Sequence, residues 1–399
     1  MVVRNQLTVT ALAIGIVSLS LFLAGIGKPR GYVFDEFDYV SSARAFLNGA
    51  ENPNPQHPPL AKLLIAASIK VMGDNPFGWR VPGAICGSMT LVAIFLWTYL
   101  LLHDYGLALT ATGLAIFNNF LFVMSRVAML DVFYFAFVIW GILAFTAAIK
   151  LDLDVLQRRM LIVCAGLMFG LGGACKWNAV VTLAAVALVA GVLFFRKSYN
   201  LREIGAASLG LGLVAVPVLA YCLAYWPLFY ELHRRFTVGE LVAMNSFIWQ
   251  YHVHCPGNPG LHVPWYDWFF RAAPERALSW LMGNFVVAWG GLVGLVICAW
   301  KFWKKPALAE GLVVLFYAVN VLQWVVIPQK RTCYYYYYPP IMFLGIALVV
   351  AISGAQKRSI FGARISLLML IAAAVFFLFC YPRMAYLEAP FDCALGCWS

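Results

Sequence analysis

The chain has 399 residues, of which 63% are apolar and only 11% charged, whereas an average globular chain is about 45–50% apolar and about 25% charged. That excludes a soluble domain with an ordinary surface, and 16% Phe, Trp and Tyr excludes disorder. What remains is an all-α polytopic membrane protein, with residues 1–399 forming a single transmembrane domain.

Taken in chain order, the first apolar run covers residues 7–27 and follows Arg4. It exceeds the roughly 7–15 residues of a signal-peptide core, so it reads as an uncleaved span. A first external loop, 28–80, follows. Within it His57-Pro58-Pro59-Leu60 leads into a helix over Leu60 to Met72 that is too short to span. That helix is expected to lie at the interface, with Lys62 and Lys70 at headgroup level. Further apolar runs lie near 81–102, 107–124, 132–149, 160–175, 177–195 and 204–226. After a second external loop, 227–277, come runs near 278–300, 307–327, 334–353 and 365–381. The pattern predicts about eleven transmembrane helices, because a backbone in lipid must satisfy its polar groups within each segment.

With the N-terminus inside, four of the short inner loops carry three basic residues each: Lys150, Arg158 and Arg159, then Arg196, Lys197 and Arg202, then Lys301, Lys304 and Lys305, then Lys357, Arg358 and Arg364. This regularity follows the positive-inside rule and places the C-terminus outside. The net charge of +11 is therefore a topology signal, and nucleic acid is not an expected partner. Of the 17 Asp and Glu, twelve fall outside with both long loops, so the chemistry is expected on the outer face.

Asp35 and Glu36 follow the first span directly, between aromatic residues. A carboxylate at the membrane edge is partly desolvated and can act as a base or bind a cation, although a solvated loop acid or helix cap has the same sequence. Arg80 opens the second span on the outer side; its forked donors match a phosphate, and a snorkelling anchor is the plainer reading. Asp131 and Lys176 sit among apolar residues, where charge points to function. Lys176 can hold an anionic headgroup, and Asp131 can balance a cation or pair structurally with Arg126. His57 is a supporting candidate beside the plainer reading of a structural histidine. Lys330 and Arg331 precede the run Tyr334 to Tyr338. Arg331 is a further phosphate candidate. An aromatic belt explains the run first, and a helix lets at most two of its tyrosines line one pocket, with Tyr335 as the supporting candidate. Acids and bases meeting at the bilayer edge suit a lipid-linked substrate, with its phosphate at the headgroups and its tail in the membrane.

The stretches FDEFDYVSSARAFLNG, HPPLAKLLIA and WRVPGAICG resemble the first outer loop of protein O-mannosyltransferases, glycosyltransferase family 39 of the GT-C class. SRVAMLDVF, GLMFGLGGACKWNAVVTLAA, PWYDWFFRAAP, LMGNFVVAWGGLVGL and RTCYYYYYPPIMFLGIAL are similar to later parts of that family, in order. The resemblance implies a GT-C bundle that transfers a sugar, most often mannose, from a polyprenyl- or dolichyl-phosphate donor to a Ser or Thr hydroxyl with inversion. It implies Asp35 as catalytic acid/base with Glu36 in support, and Arg80, with Lys176 and Arg331, at the donor phosphate. The chain departs from eukaryotic members: its second external loop is too short for a MIR domain. That favours a bacterial plasma membrane over an endoplasmic reticulum, and leaves a glycolipid such as lipid A as an alternative acceptor.

The competing class is a transporter or flippase, whose site would be expected nearer the midplane. Asp35 and Glu36 have the chemistry for a divalent cation, but without a further ligand cluster no metal is assigned. Cys393 and Cys397 lie in an outer tail where a disulfide is sterically conceivable.

Overall fold

A computed structural model describes residues 2–199, 201–231, 235–254, 263–268, 283–326, 332–356 and 360–385. Among these, the regular elements are helical. The first half runs α1 (Val2–Leu23), α2 (Glu36–Leu47), α3 (Leu60–Met72), α4 (Pro76–Leu102), α5 (Tyr105–Ile116), α6 (Asn119–Met124), α7 (Leu130–Lys150), α8 (Val155–Cys175) and α9 (Asn178–Phe195). A broken rod follows: α10 (Leu201–Ile204), α11 (Ala206–Gly210), a π turn, α12 (Val216–Leu223) and α13 (Trp226–Glu231). Beyond it lie α14 (Val238–His254), α15 (Phe285–Lys304), α16 (Leu308–Val326), α17 (Tyr338–Gln356) and α18 (Ile360–Met384). Ten helices among the described residues are long and apolar enough to cross a membrane. The protein is an integral multi-pass membrane protein.

The run at 107–124 is not one continuous helix. It breaks at Phe117 and Asn118, where the Asn118 side chain accepts from the Phe120 N–H at 3.1 Å and starts α6. A break at membrane depth frees backbone groups that need partners. The Asn284 amide supplies one, donating to the Phe117 carbonyl at 2.9 Å and to the Ala373 carbonyl at 2.8 Å.

Helices in lipid approach through small residues, because van der Waals contact replaces the hydrophobic drive. A Cβ on Gly170 of α8 would stand 2.5 Å from the Pro217 carbonyl oxygen of α12. On Gly294 of α15 it would stand 2.6 Å from the Leu348 Cα of α17. The π turn Leu211–Ala215 lies just before Pro217, which cannot donate a helical hydrogen bond.

The expected helix over Leu60 to Met72 is present as α3, packed against α2 and α4. Lys62 is not at headgroup level: it is fully buried and donates to the Asn54 and His57 carbonyls. Lys70 is exposed. A second small core joins both long loops, with Phe46 of α2 against Tyr225, Leu228 and Phe229, and Leu241 and Met244 of α14 packed on it. At the opposite end of the bundle, basic residues cap helix C-termini, where carbonyls lack intrahelical donors. Lys150 donates to Leu100 and Leu101 at 2.6 and 2.9 Å, and Lys301 to Ala351 at 2.6 Å.

Candidate active site

Asp35 precedes α2, but its side chain makes no capping bond. Its Oδ2 accepts instead from the Tyr335 hydroxyl at 2.8 Å and the Tyr39 hydroxyl at 3.3 Å. Burial raises the Asp35 carboxyl above its ordinary value, against the pull of the Tyr335 hydroxyl, the Lys176 charge and the Tyr39 hydroxyl. Asp38, one turn on, is also raised, by burial and then by the Asp35 charge. A carboxylate so placed is a stronger base than a solvated one.

Glu36 and Arg80 meet one residue away, both side chains fully buried. Arg80 donates from Nε and Nη2 to the two Glu36 oxygens, each at 2.7 Å. It also donates to the Ile26, Pro29 and Gly31 carbonyls at 3.0, 2.9 and 2.9 Å. Glu36 accepts further from the Val33 and Ala128 N–H groups, each at 2.8 Å. Arg80 sits one turn inside α4, which starts at Pro76 and not near 81. In the structure the guanidinium binds the loop after α1, and Glu36 faces Arg80.

The second buried pair is Lys176, between α8 and α9, with Asp131 in the first turn of α7. Lys176 Nζ lies 2.8 and 2.9 Å from the two Asp131 oxygens. Arg126 does not join them; it donates to the Phe22 and Ala24 carbonyls and lies over Phe122. The Lys176 ammonium also stands 4.4 Å from the Tyr336 ring centroid and 5.5 Å from that of Tyr335. Tyr335 therefore touches both Asp35 and Lys176. Of the five tyrosines, Tyr335 and Tyr336 reach the site. Tyr334 packs on Phe120, Tyr337 bonds to Tyr317, and Tyr338 packs on Phe135.

Beside Lys176 is a cavity of ≈ 90 Å³ with His57, Trp177, His252, Trp324 and Tyr336 in its wall. Trp324 and Tyr336 stack at 4.7 Å and 7°. The buried Trp324 Nε1 has no hydrogen-bond partner among the described residues. His252, Trp324 and Tyr336 escaped the sequence reading. The histidine lies in a polar loop, and the two aromatics lie in apolar runs where core packing is the ordinary explanation. Arg331, Cys393 and Cys397 lie outside the described residues. No group of three or more His, Cys, Asp or Glu is arranged to hold a metal ion among the described residues.

The family model for dolichyl-phosphate-mannose-protein mannosyltransferase matches residues 56–226. The polyprenol-phosphate-mannose–protein mannosyltransferase of Mycolicibacterium smegmatis is 25% identical over 425 aligned positions, covering 86% of this chain and 81% of that one. Over these residues the chain is similar to the protein O-mannosyltransferases. Its fold matches the Saccharomyces cerevisiae Pmt1-Pmt2 complex bound to the sugar donor, with a TM-score of 0.82 at 12% identity over 95% of this chain and 90% of that one. ArnT of Cupriavidus metallidurans bound to undecaprenyl phosphate gives a TM-score of 0.63 at 16% identity over 98% of this chain and 66% of that one. The GT-C fold expected from the sequence is the fold observed.

Proposed function

We propose that this chain is a protein O-mannosyltransferase, transferring mannose from a polyprenyl-phosphate donor to a Ser or Thr hydroxyl of a protein, with inversion. The observation that carries the mechanism is Tyr335, which joins a raised carboxylate to a buried ammonium. Asp35 takes the proton of the acceptor hydroxyl as its oxygen attacks the anomeric carbon. Lys176 balances the charge that develops on the leaving phosphate, and Asp131 holds the ammonium in place before the lipid arrives. One displacement inverts the centre and needs no covalent sugar–enzyme intermediate. The stacked Trp324 and Tyr336 offer a flat wall to the sugar. Glu36 and Arg80 support the reaction by setting the backbone that carries Asp35.

The same reading puts the site end of the bundle outside a bacterial plasma membrane, with the N-terminus in the cytosol and the C-terminus outside. The basic caps on the opposite end support that orientation. Reporter fusions at Lys197 and Lys304 should read cytosolic and one at Glu51 external. The activity is tested with purified protein, polyprenyl-phosphate-mannose and a Ser/Thr peptide in detergent. Mannosyl peptide formed without any membrane gradient is the expected result. Absence of transfer to peptide, with transfer to a glycolipid, would reassign the acceptor; translocation without transfer would reassign the class.

A further inference from the structure

The cavity beside Lys176 carries two imidazoles that the reaction as described does not use. His57 comes from the first long loop and His252 from α14 in the second, and their ring centroids are 5.0 Å apart. His252 Nε2 lies 3.0 Å from the Gln56 carbonyl oxygen. That oxygen can only accept, so Nε2 carries the proton and Nδ1 is the nitrogen left to gain one. No carboxylate lines the cavity among the described residues. The groups near the pair are the Tyr39 ring of α2, Lys62 of α3, Lys176 after α8, Tyr251 of α14 and Tyr336 before α17. These are neutral or cationic, with carboxylates one contact further out: Asp131 on Lys176 and Asp35 on Tyr39.

We infer that His57 and His252 form, together with Lys176, a phosphate subsite that binds the lipid monophosphate product with uptake of a proton and discriminates it from the phosphodiester donor. This rests on the donor reading above. In the transfer, the acceptor oxygen bonds to the anomeric carbon and its proton passes to Asp35. The bond from that carbon to the phosphate oxygen breaks, and its electron pair stays on the phosphate. The phosphate charge therefore goes from −1 in the diester to −2 in the monoester, whose second ionisation lies near about 6. Burial holds both imidazoles below their usual range, with His252, Lys176 and Lys62 adding to the effect on His57. A dianion placed among them reverses that balance and favours an imidazolium; a monoanion does so less. Release of the product then requires loss of the proton, so the leaving lipid departs faster as pH rises.

The test compares farnesyl phosphate with its methyl phosphodiester, which carries a single charge at every pH used. Affinities are measured from about pH 6.8 to 8.8, above the second ionisation of the monoester. In the wild-type protein the preference for the monoester should fall by about tenfold across that range, and titration in two buffers of different ionisation heat should show close to one proton taken up per monoester bound at the acid end, falling towards none at the alkaline end. In the double variant His57→Gln/His252→Gln the preference should be flat and the proton uptake absent. Its melting temperature should stay within a few degrees of the wild type, which reports an intact fold. Lys62→Arg keeps the donors of Lys62 but does not titrate, so it must retain the slope. A flat wild-type preference, a slope that survives in the double variant, or a slope lost in Lys62→Arg would overturn the inference. Failure of the donor reading looks different: neither lipid binds the wild-type protein, or Lys176→Met leaves both affinities unchanged.

Discussion

Two buried ion pairs lie at the same end of the bundle, and they are built to different ends. In the Glu36–Arg80 pair both carboxylate oxygens and the guanidinium nitrogens are engaged by each other and by five backbone groups. In the Asp131–Lys176 pair the ammonium meets one carboxylate, two aromatic faces and a cavity. The residue types, charge and burial are nearly alike. On the proposed mechanism, what separates structural from functional charge is how many neighbours depend on the pair, and whether an exchangeable face is left.

The largest expected effect breaks the first pair. Glu36→Gln or Arg80→Met strands a buried charge together with the backbone groups it served, at a cost of about 3–5 kcal/mol. Loss of folded protein on size-exclusion chromatography, together with a lower melting temperature, is expected. Stable protein with only weakened donor binding would show that Arg80 serves the phosphate directly.

Next comes chemistry without collapse. Asp35→Asn keeps shape and removes the base, so turnover should drop by on the order of a hundredfold or more with donor affinity largely kept. Wild-type-like turnover in this variant would move the base elsewhere. Replacing the second pair whole, as Asp131→Leu/Lys176→Met, sharpens the contrast. Removing both charges of a buried pair is often neutral for stability, so melting should change by only a few degrees while donor binding is lost. Unfolding of this double variant would make the two pairs alike after all.

A smaller effect is expected in the pH profile. Asp35 must be ionised to act, and its raised value sets the acid limb of kcat/KM above that of an ordinary carboxylate. The Tyr335 hydrogen bond favours the ionised form, so Tyr335→Phe should move that limb to still higher pH with only a several-fold loss at the optimum. An unshifted limb would detach Tyr335 from the base.

The span pattern was legible in the sequence because a helix in lipid must close its own hydrogen bonds, so each crossing writes a long apolar run. Where a neighbour could supply the missing partner, as Asn284 does at Phe117, the run concealed a break. The location of charge was legible too: Asp35, Asp131 and Lys176 are costly among apolar residues and stand out for that reason. Pairing was not. Arg80 came first for a phosphate and Lys176 after it; in the structure the loop after α1 packs around the guanidinium, whereas the ammonium is left beside an aromatic cavity. Trp324, Tyr336 and His252 come from segments far from Asp35 in the chain. Nothing local marks such residues, because their meeting depends on which helix ends the bundle brings together, and that is settled by small-residue contacts such as those at Gly170 and Gly294.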